Sequence, residues 1–286
     1  MKIENQIQDI SESQLIPCTE EELAQYIQNS GKQVVQHRGC FWKETFPGFY
    51  QPLHWMECLR VEQAICPPKL HWGFQCALRE EDMKFCNNFM PIHVLSNLEK
   101  YDEQSLSSNR RYLVRKGRKK VKVFQLIDNA ILQEQGYEVF VSSTRRKGSK
   151  PCSREKYVLN LQNDSFAPKN RLIIAGFIDQ KLSGYITGYG INKTAYLDKA
   201  YYLTEALSTN IGTLLTFEFV QACRRSGKIK QVVNGLHLRE DPSLSIFKES
   251  MGFSLKHIPI KLQINPIVAK LIQWRYPDKY YRLTGS

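Results

Sequence analysis

Between residues 171 and 203 three strand-prone runs follow one another with almost no chain between them: Arg171 to Ile178, Ser183 to Ile191 and Thr194 to Leu203. Polar turns join them, Asp179-Gln180-Lys181 and Asn192-Lys193. A parallel crossover needs a dozen or more residues, so these runs read as an antiparallel meander. The next segment, Gly212 to Arg225, carries Leu214, Leu215, Phe217, Phe219, Val220 and Cys223 and stops at Ser226-Gly227. That pattern predicts a helix with an apolar face. Gln231 to Leu236 reads as a strand, and Pro242 to Met251 as a helix closed by Gly252. Phe253 to Ile264 is a further strand and Pro266 to Trp274 a short helix. Upstream, Leu106 to Lys119 reads as a basic helix and Val121 to Leu126 as a strand. Asn129 to Arg146 is a helix frayed at Gly136, and Ser153 to Leu161 is another. From residue 121 the order is strand, two helices, three antiparallel strands, helix, strand, helix, strand. Such an order belongs to an α+β chain, a mixed central sheet flanked by helices.

The chain has 286 residues, about two domains at ~150 residues each. The regular pattern covers 104 to 286, and residues 1 to 103 differ from it. They open polar and acidic, and Thr19 with Glu22 fits a capping box at the start of a helix. Aromatic residues then alternate with breaks at Pro47-Gly48, Pro52, Pro67-Pro68 and Pro91. Short strands are expected around Cys40–Lys43 and Trp72–Leu78, and a helix near Trp55–Ala64. Residues 1 to 103 thus read as an N-terminal accessory region and 104 to 286 as the principal domain. A hydrophobic fraction of 42% excludes a disordered chain. The longest uninterrupted apolar run, Leu172 to Ile178, is too short for a membrane span. Met1-Lys2-Ile3-Glu4-Asn5 opens no apolar signal segment. A soluble protein of the cytoplasm is expected.

Eight cysteines lie in the chain, and no two have the spacing of a zinc knuckle. His54 with Cys58 and His71 with Cys76 suggest a metal only loosely. The expectation is no metal and free, mostly buried thiols. The formal charge of +12 serves solubility, or matches a partner rich in phosphates or carboxylates. Eight Lys/Arg fall between Arg110 and Lys122, with further clusters at Arg145-Arg146-Lys147 and Arg224-Arg225 to Lys230.

Two segments carry a resemblance. Ser245-Ile246-Phe247-Lys248-Glu249-Ser250-Met251-Gly252-Phe253 is a helix ending in a glycine and an aromatic. Leu207-Ser208-Thr209-Asn210-Ile211-Gly212-Thr213-Leu214-Leu215 joins a strand to a helix. With the order of elements, these resemble the GNAT superfamily of acyl-CoA-dependent N-acyltransferases. The resemblance implies a GNAT-like mixed sheet, with residues 1 to 103 an accessory or degenerate GNAT-like unit. In that family the loop reads Arg/Gln-x-x-Gly-x-Gly/Ala and binds a pyrophosphate through backbone N–H groups. Here Gly212 keeps the pattern, whereas Leu207 and Asn210 depart from it. The resemblance assigns donor binding to Leu203, Ser208, Thr209, Asn210, Ile211, Gly212 and Thr213; a plain helix cap by Ser208 or Thr209 is the alternative. Arg110-Arg111-Tyr112-Leu113-Val114-Arg115-Lys116-Gly117 and the Phe247-Lys248 pair with Gly252-Phe253 are similar to the FemAB-like branch. In simpler GNAT enzymes a tyrosine stands where this chain has Lys248.

An amine attacking a thioester must lose a proton, and the oxyanion and leaving thiolate must be stabilised. Asp198, Glu205 and His237 are the candidate bases, and Lys248 the candidate stabiliser. Each has an ordinary alternative: Asp198 pairing with Lys199 or Lys193, Glu205 favouring a nearby helix dipole, His237 a loop residue, Lys248 a solvated one. In Lys248's favour, Phe247 is expected to face the core, with Lys248 reaching past its edge. The expectation is an N-acyltransferase moving an acyl group, acetyl to fatty acyl, from acyl-CoA or an acyl carrier protein to a primary amine. A side-chain amine of a peptide or protein would suit the extra N-terminal residues. One alternative is a FemAB-like transferase using aminoacyl-tRNA, against which the short chain counts. Another is a non-catalytic binding module on a degenerate GNAT scaffold.

Overall fold

A computed structural model describes residues 6–67, 71–162 and 170–285. Met1 to Asn5 and Pro68, which enter the reading of the N-terminus and of the proline breaks, lie outside the described residues. In chain order the elements begin β1 (Ile7–Asp9), α1 (Glu20–Asn29), β2 (Val34–His37), β3 (Cys40–Phe46), β4 (Phe49–Pro52), β5 (Cys58–Leu59), β6 (Gly73–Leu78) and β7 (Asn88–Leu95). They continue α2 (Ser108–Arg118), β8 (Lys122–Leu126), α3 (Tyr137–Arg146), α4 (Arg154–Gln162), β9 (Arg171–Ile178), β10 (Lys181–Ile191) and β11 (Thr194–Tyr202). The last are α5 (Ile211–Arg225), β12 (Gln231–Leu236), α6 (Pro242–Ser250), β13 (Ser254–Ile264), α7 (Pro266–Arg275) and α8 (Pro277–Thr284). Among the described residues no helix is long and apolar enough to cross a membrane.

The chain forms two compact units, and they do not follow a single cut after residue 103. One comprises Met1–Cys18, Leu95–Asn234 and Ser250–Phe253. The other comprises Thr19–Val94, Gly235–Glu249 and Ser254–Ser286.

In the first unit the strand order is β1-β8-β9-β10-β11-β12. The meander forms as expected, with β9, β10 and β11 antiparallel in succession, and β8 adds antiparallel to β9. Asp179 and Gln180 both take positive φ, 47° and 65°, and close a tight hairpin turn matched to the strand twist. β11 then pairs parallel with β12. One face of the meander is paved with glycine. A Cβ on Gly188 would lie 2.4 Å from the Phe219 ring, and one on Gly184 2.9 Å from Ile211. The missing side chains let α5 lie directly on the sheet, where Ile211, Leu214, Leu215, Phe219 and Val220 are fully buried. The expected fraying at Gly136 is a π-helical turn, Leu132–Gly136, leading into α3.

In the second unit the order is β7-β13-β6-β4-β3-β2, with β5 on β6. Thr19 and Glu22 form both hydrogen bonds of the capping box at α1. Trp42, Tyr50, Phe74 and Cys76 form one core cluster, and Phe49, Ala77, Met90, Ile260 and Leu262 another. No helix forms over Trp55–Ala64; Cys58 and Leu59 pair instead with Ala77 and Leu78 of β6. α6 also differs from expectation. Ser245 and Lys248 are its buried residues, while Phe247 is only partly buried.

Candidate functional site

The donor loop lies wholly in the first unit. β11 leads into a 3-10 turn, Glu205–Thr209, and Asn210 follows with φ 65°, turning the chain into α5. A short polar side chain tolerates that conformation. Neither hydroxyl caps the helix: Ser208 Oγ donates to the Glu205 carbonyl (3.2 Å), and Thr209 Oγ1 donates to that of Ala206 (2.7 Å). The helix cap weighed as the alternative is therefore absent. α5 begins with no acidic residue in its first turn, and the first N–H groups of a helix have no intrahelical acceptor. A Cβ on Gly212 would meet nothing closer than the Tyr202 ring at 3.5 Å, so its backbone is open to close approach. Leu203 and Ile211 are core residues, which leaves them only their backbone to offer. Thr213 is buried too, and its Oγ1 accepts from Arg110 Nη1 (3.3 Å). Arg110, in the basic segment, is the cation that the motif alone did not attach to the loop.

β11 and β12 pair only through Thr194–Tyr196 and Gln231–Val233, and β11 then runs on without β12. The register shift between Thr187 and Gly188 skips Asp198, which bulges out of the ladder. Asp198 is exposed and lies 3.8 Å from Lys199 Nζ, the ordinary pairing weighed above. Glu205 is exposed on the turn before the loop. Neither carboxylate is brought to another candidate. In the basic helix, Arg115 and Arg118 both reach Glu103, and Arg118 also holds Glu218 at 2.9 Å.

In the second unit the fold brings His237 and Lys248 together with two residues that carried no expectation, Ser245 and His93. Ser245 stands three residues before Lys248, one helical turn away on the same face of α6. Its Oγ is 2.7 Å from His237 Nδ1 and 3.3 Å from His93 Nε2. The two histidine nitrogens are 3.4 Å apart. The backbone N–H of His237 donates to the Pro91 carbonyl (2.9 Å), tying the loop to β7. Lys248 is 5% exposed, and its Nζ donates to the Leu236 carbonyl at 3.1 Å. It is not a solvated lysine, and burial pulls its pKa down to about 8. His93 is fully buried, and burial, with Lys248 and His237 adding to it, holds its pKa at about 4. His237 is held below the ordinary histidine value, first by burial and then by the Lys248 ammonium. The cluster is therefore a neutral histidine pair beside one cation.

Among the described residues no group of three or more His, Cys, Asp or Glu is placed to hold a metal ion. The cysteines are free thiols, and burial raises Cys76 to about 12.

No protein-family model and no curated protein sequence matches the chain. Solved structures do match it. FemX aligns with a TM-score of 0.62 at 9% identity, over 88% of this chain and 93% of that one. The C-terminal domain of an Agrobacterium fabrum protein named as a lysylphosphatidylglycerol synthetase aligns with a TM-score of 0.60 at 13% identity, over 92% of each chain. L-PGS from Bacillus licheniformis aligns with a TM-score of 0.53 at 10% identity, over 95% of this chain and 98% of that one. Likeness at such low identity speaks to architecture, and it is architecture that it establishes: the chain has the GNAT-like fold of the FemAB type.

Proposed function

We propose that the protein is an N-acyltransferase that moves an acyl group from an activated, phosphate-bearing donor to a primary amine. The observation that carries this reading is Lys248. It is a buried ammonium set on a backbone carbonyl, within the Phe247-Lys248 … Gly252-Phe253 segment that resembles the FemAB-like signature. A positive charge kept out of water is a strong stabiliser of an oxyanion. Attack of an amine on an acyl carbonyl creates that oxyanion, and the charge on Lys248 would develop its attraction as the tetrahedral intermediate forms. In the first unit, taken by itself, Gly212 and the N-terminal N–H groups of α5, with Arg110 on Thr213, offer the backbone donors and the cation that a phosphate-bearing donor needs. The leading donor is acyl-CoA or an acyl carrier protein, and the leading acceptor a side-chain amine of a peptide or protein. Such donors are cytoplasmic, and the reading places the protein there.

A second donor, aminoacyl-tRNA, is favoured by one specific observation. The likeness to FemX spans 88% of this chain and 93% of that one, so chain length no longer counts against a FemAB-like transferase. One experiment decides. Purified protein is offered CoA esters of increasing chain length and, separately, charged tRNA, each with peptide and small-molecule amines, and the products are weighed by mass spectrometry. Acyl transfer from CoA esters supports the leading donor, and transfer from tRNA alone supports the second. No acylated amine with any donor leaves a binding module on a GNAT scaffold.

A further inference from the structure

We propose that His237 acts as a hydrogen-bond donor through its Nε2–H rather than as a base, held in that tautomer by Ser245 and His93 as positioning residues. The inference comes from counting protons in a closed triangle. Three atoms meet: Ser245 Oγ, His237 Nδ1 and His93 Nε2, at 2.7, 3.3 and 3.4 Å. The hydroxyl has one proton to give, and each neutral imidazole has one that sits on either nitrogen. The remaining nitrogen of His93, Nδ1, is buried and has no hydrogen-bond partner. A proton there would be a buried donor without an acceptor, whereas a bare lone pair is the less costly orphan. His93 therefore carries its proton on Nε2 and donates it into the triangle. Ser245 Oγ then accepts from His93 and is left to donate, and the 2.7 Å contact to His237 Nδ1 suits a hydroxyl donor. Nδ1 of His237 is an acceptor, so the single proton of the neutral ring lies on Nε2.

The reverse arrangement fails on the same count. If His237 Nδ1 donated to Ser245, Oγ would accept from both imidazoles, and the hydroxyl proton would find no acceptor in the triangle; turning it to His93 Nε2 instead would strand the His93 proton on Nδ1. Protonating both nitrogens of His237 strands one of the same two protons and adds a second charge beside Lys248. A base at Nε2 needs a free lone pair there, and in this tautomer the only lone pair is on Nδ1, already engaged by Ser245. His237 is half-buried beside the Tyr281 ring, at 6.0 Å between centroids. What it presents is an N–H, in the same cluster as the Lys248 ammonium. Two donors suit an oxygen that gains negative charge. That role rests on the acyltransferase reading; the tautomer does not.

The test has one arm for each. Side-chain ¹⁵N spectra of the full chain, with the histidines assigned by substitution, report which ring nitrogen is protonated. The expected result near neutral pH is a protonated Nε2 and an unprotonated Nδ1 for His237, with the preference lost in Ser245→Ala. A protonated Nδ1, or an even mixture, in the unmodified protein overturns the proposal, whether or not Ser245→Ala folds. The second arm compares His237→Gln, whose amide keeps a donor, with His237→Leu, which keeps none. With whichever donor supports turnover, His237→Gln should stay within about tenfold of the parent and His237→Leu should fall by about 10²-fold. Equal loss in both variants overturns the donor role in favour of a base. No turnover with any donor removes the role together with the acyltransferase reading, and the spectrum alone then decides the tautomer.

Discussion

A lysine buried as an ion costs the folded state free energy, and that cost gives Lys248 two measurable signatures. Its pKa in the folded protein is about 8, against an ordinary 10.5. Below pH 8 the folded and unfolded chains both carry the proton, and the whole cost of burial is felt. Between about 8 and 10.5 the unfolded chain holds more protons, so this residue makes stability rise with pH; above 10.5 both forms are neutral and the cost is gone. At 1.36 kcal/mol per pKa unit the swing is about 3 kcal/mol at most. Urea unfolding of the parent and of Lys248→Met, from pH 7 to 10.5, should show the parent gaining on the variant by that order. A constant difference across the range would mean that burial does not depress the Lys248 pKa. The second signature is catalytic. An ammonium that stabilises an oxyanion must be charged, so the parent's advantage in turnover over Lys248→Met should fall as pH rises through about 8. Lys248→Met should be slower by about 10²-fold at pH 7 with donor affinity little changed. Turnover that climbs through pH 8 more steeply in the parent than in Lys248→Met would show the free amine of Lys248 at work as a base or nucleophile.

The seat of α5 shows how the sequence and the packing meet. Its apolar face was legible from Leu214, Leu215, Phe219 and Val220, but the depth of its seat was not, because that depends on Gly184 and Gly188 in a separate strand. A Cβ at position 188 would come within 2.5 Å of the Tyr196 carbonyl as well as 2.4 Å of the Phe219 ring. Backbone cannot move aside cheaply, so Gly188→Ala should cost about 2 kcal/mol or more by chemical denaturation. A loss below 0.5 kcal/mol would mean that the sheet and α5 relax freely there. Gly212 is the contrasting case, since a Cβ there meets only ordinary contact at 3.5 Å. Gly212→Val should therefore fold and still weaken donor binding at least tenfold, about 1.4 kcal/mol; unchanged affinity would take this loop out of the donor site. The meander, α5, β12 and β13 were legible because periodicity and turn residues are local. The helix read over Trp55–Ala64 failed because Leu59 finds a strand partner in Leu78, a non-local pairing that overrides composition. β7 was missed because Pro91 reads as a break, although in the fold its carbonyl anchors His237. Lys248 and His237 were legible from a motif and a strand end. Ser245 was within reach, one helical turn from Lys248. His93 is 144 residues from His237, and only the fold brings the two together.

For the molecule as a whole the undecided quantity is what its +12 charge is for. The chain length accommodates the fold of FemX, with which it aligns over 88% of this chain and 93% of that one, so the donor has to be settled by physics other than size. Part of the basic segment is already neutralised, with Arg115 and Arg118 on Glu103 and Glu218. Lys119, Lys120 and Lys122, at the end of α2 and the start of β8, are exposed. If the donor is a tRNA, lysines of this kind face its phosphates and release counterions on binding. The logarithm of affinity then falls with the logarithm of salt, with a slope of about −0.7 to −0.9 per phosphate neutralised. A CoA ester has few phosphates and reaches the loop at Gly212 without needing these lysines. Replacing all three by Gln should therefore separate the donors without touching the loop or the Lys248 cluster. For a tRNA-dependent enzyme the slope should become shallower by about 2 to 3 units, with affinity lost most strongly at low salt. For a CoA-dependent enzyme the affinity for the ester and its shallow salt dependence should both be unchanged. Binding of charged tRNA and of a CoA ester, each titrated at several salt concentrations on the parent and the triple variant, measures both outcomes. If tRNA binds with a steep slope that the triple variant leaves intact, its phosphates are held elsewhere, and the Arg145-Arg146-Lys147 cluster is the next surface to neutralise.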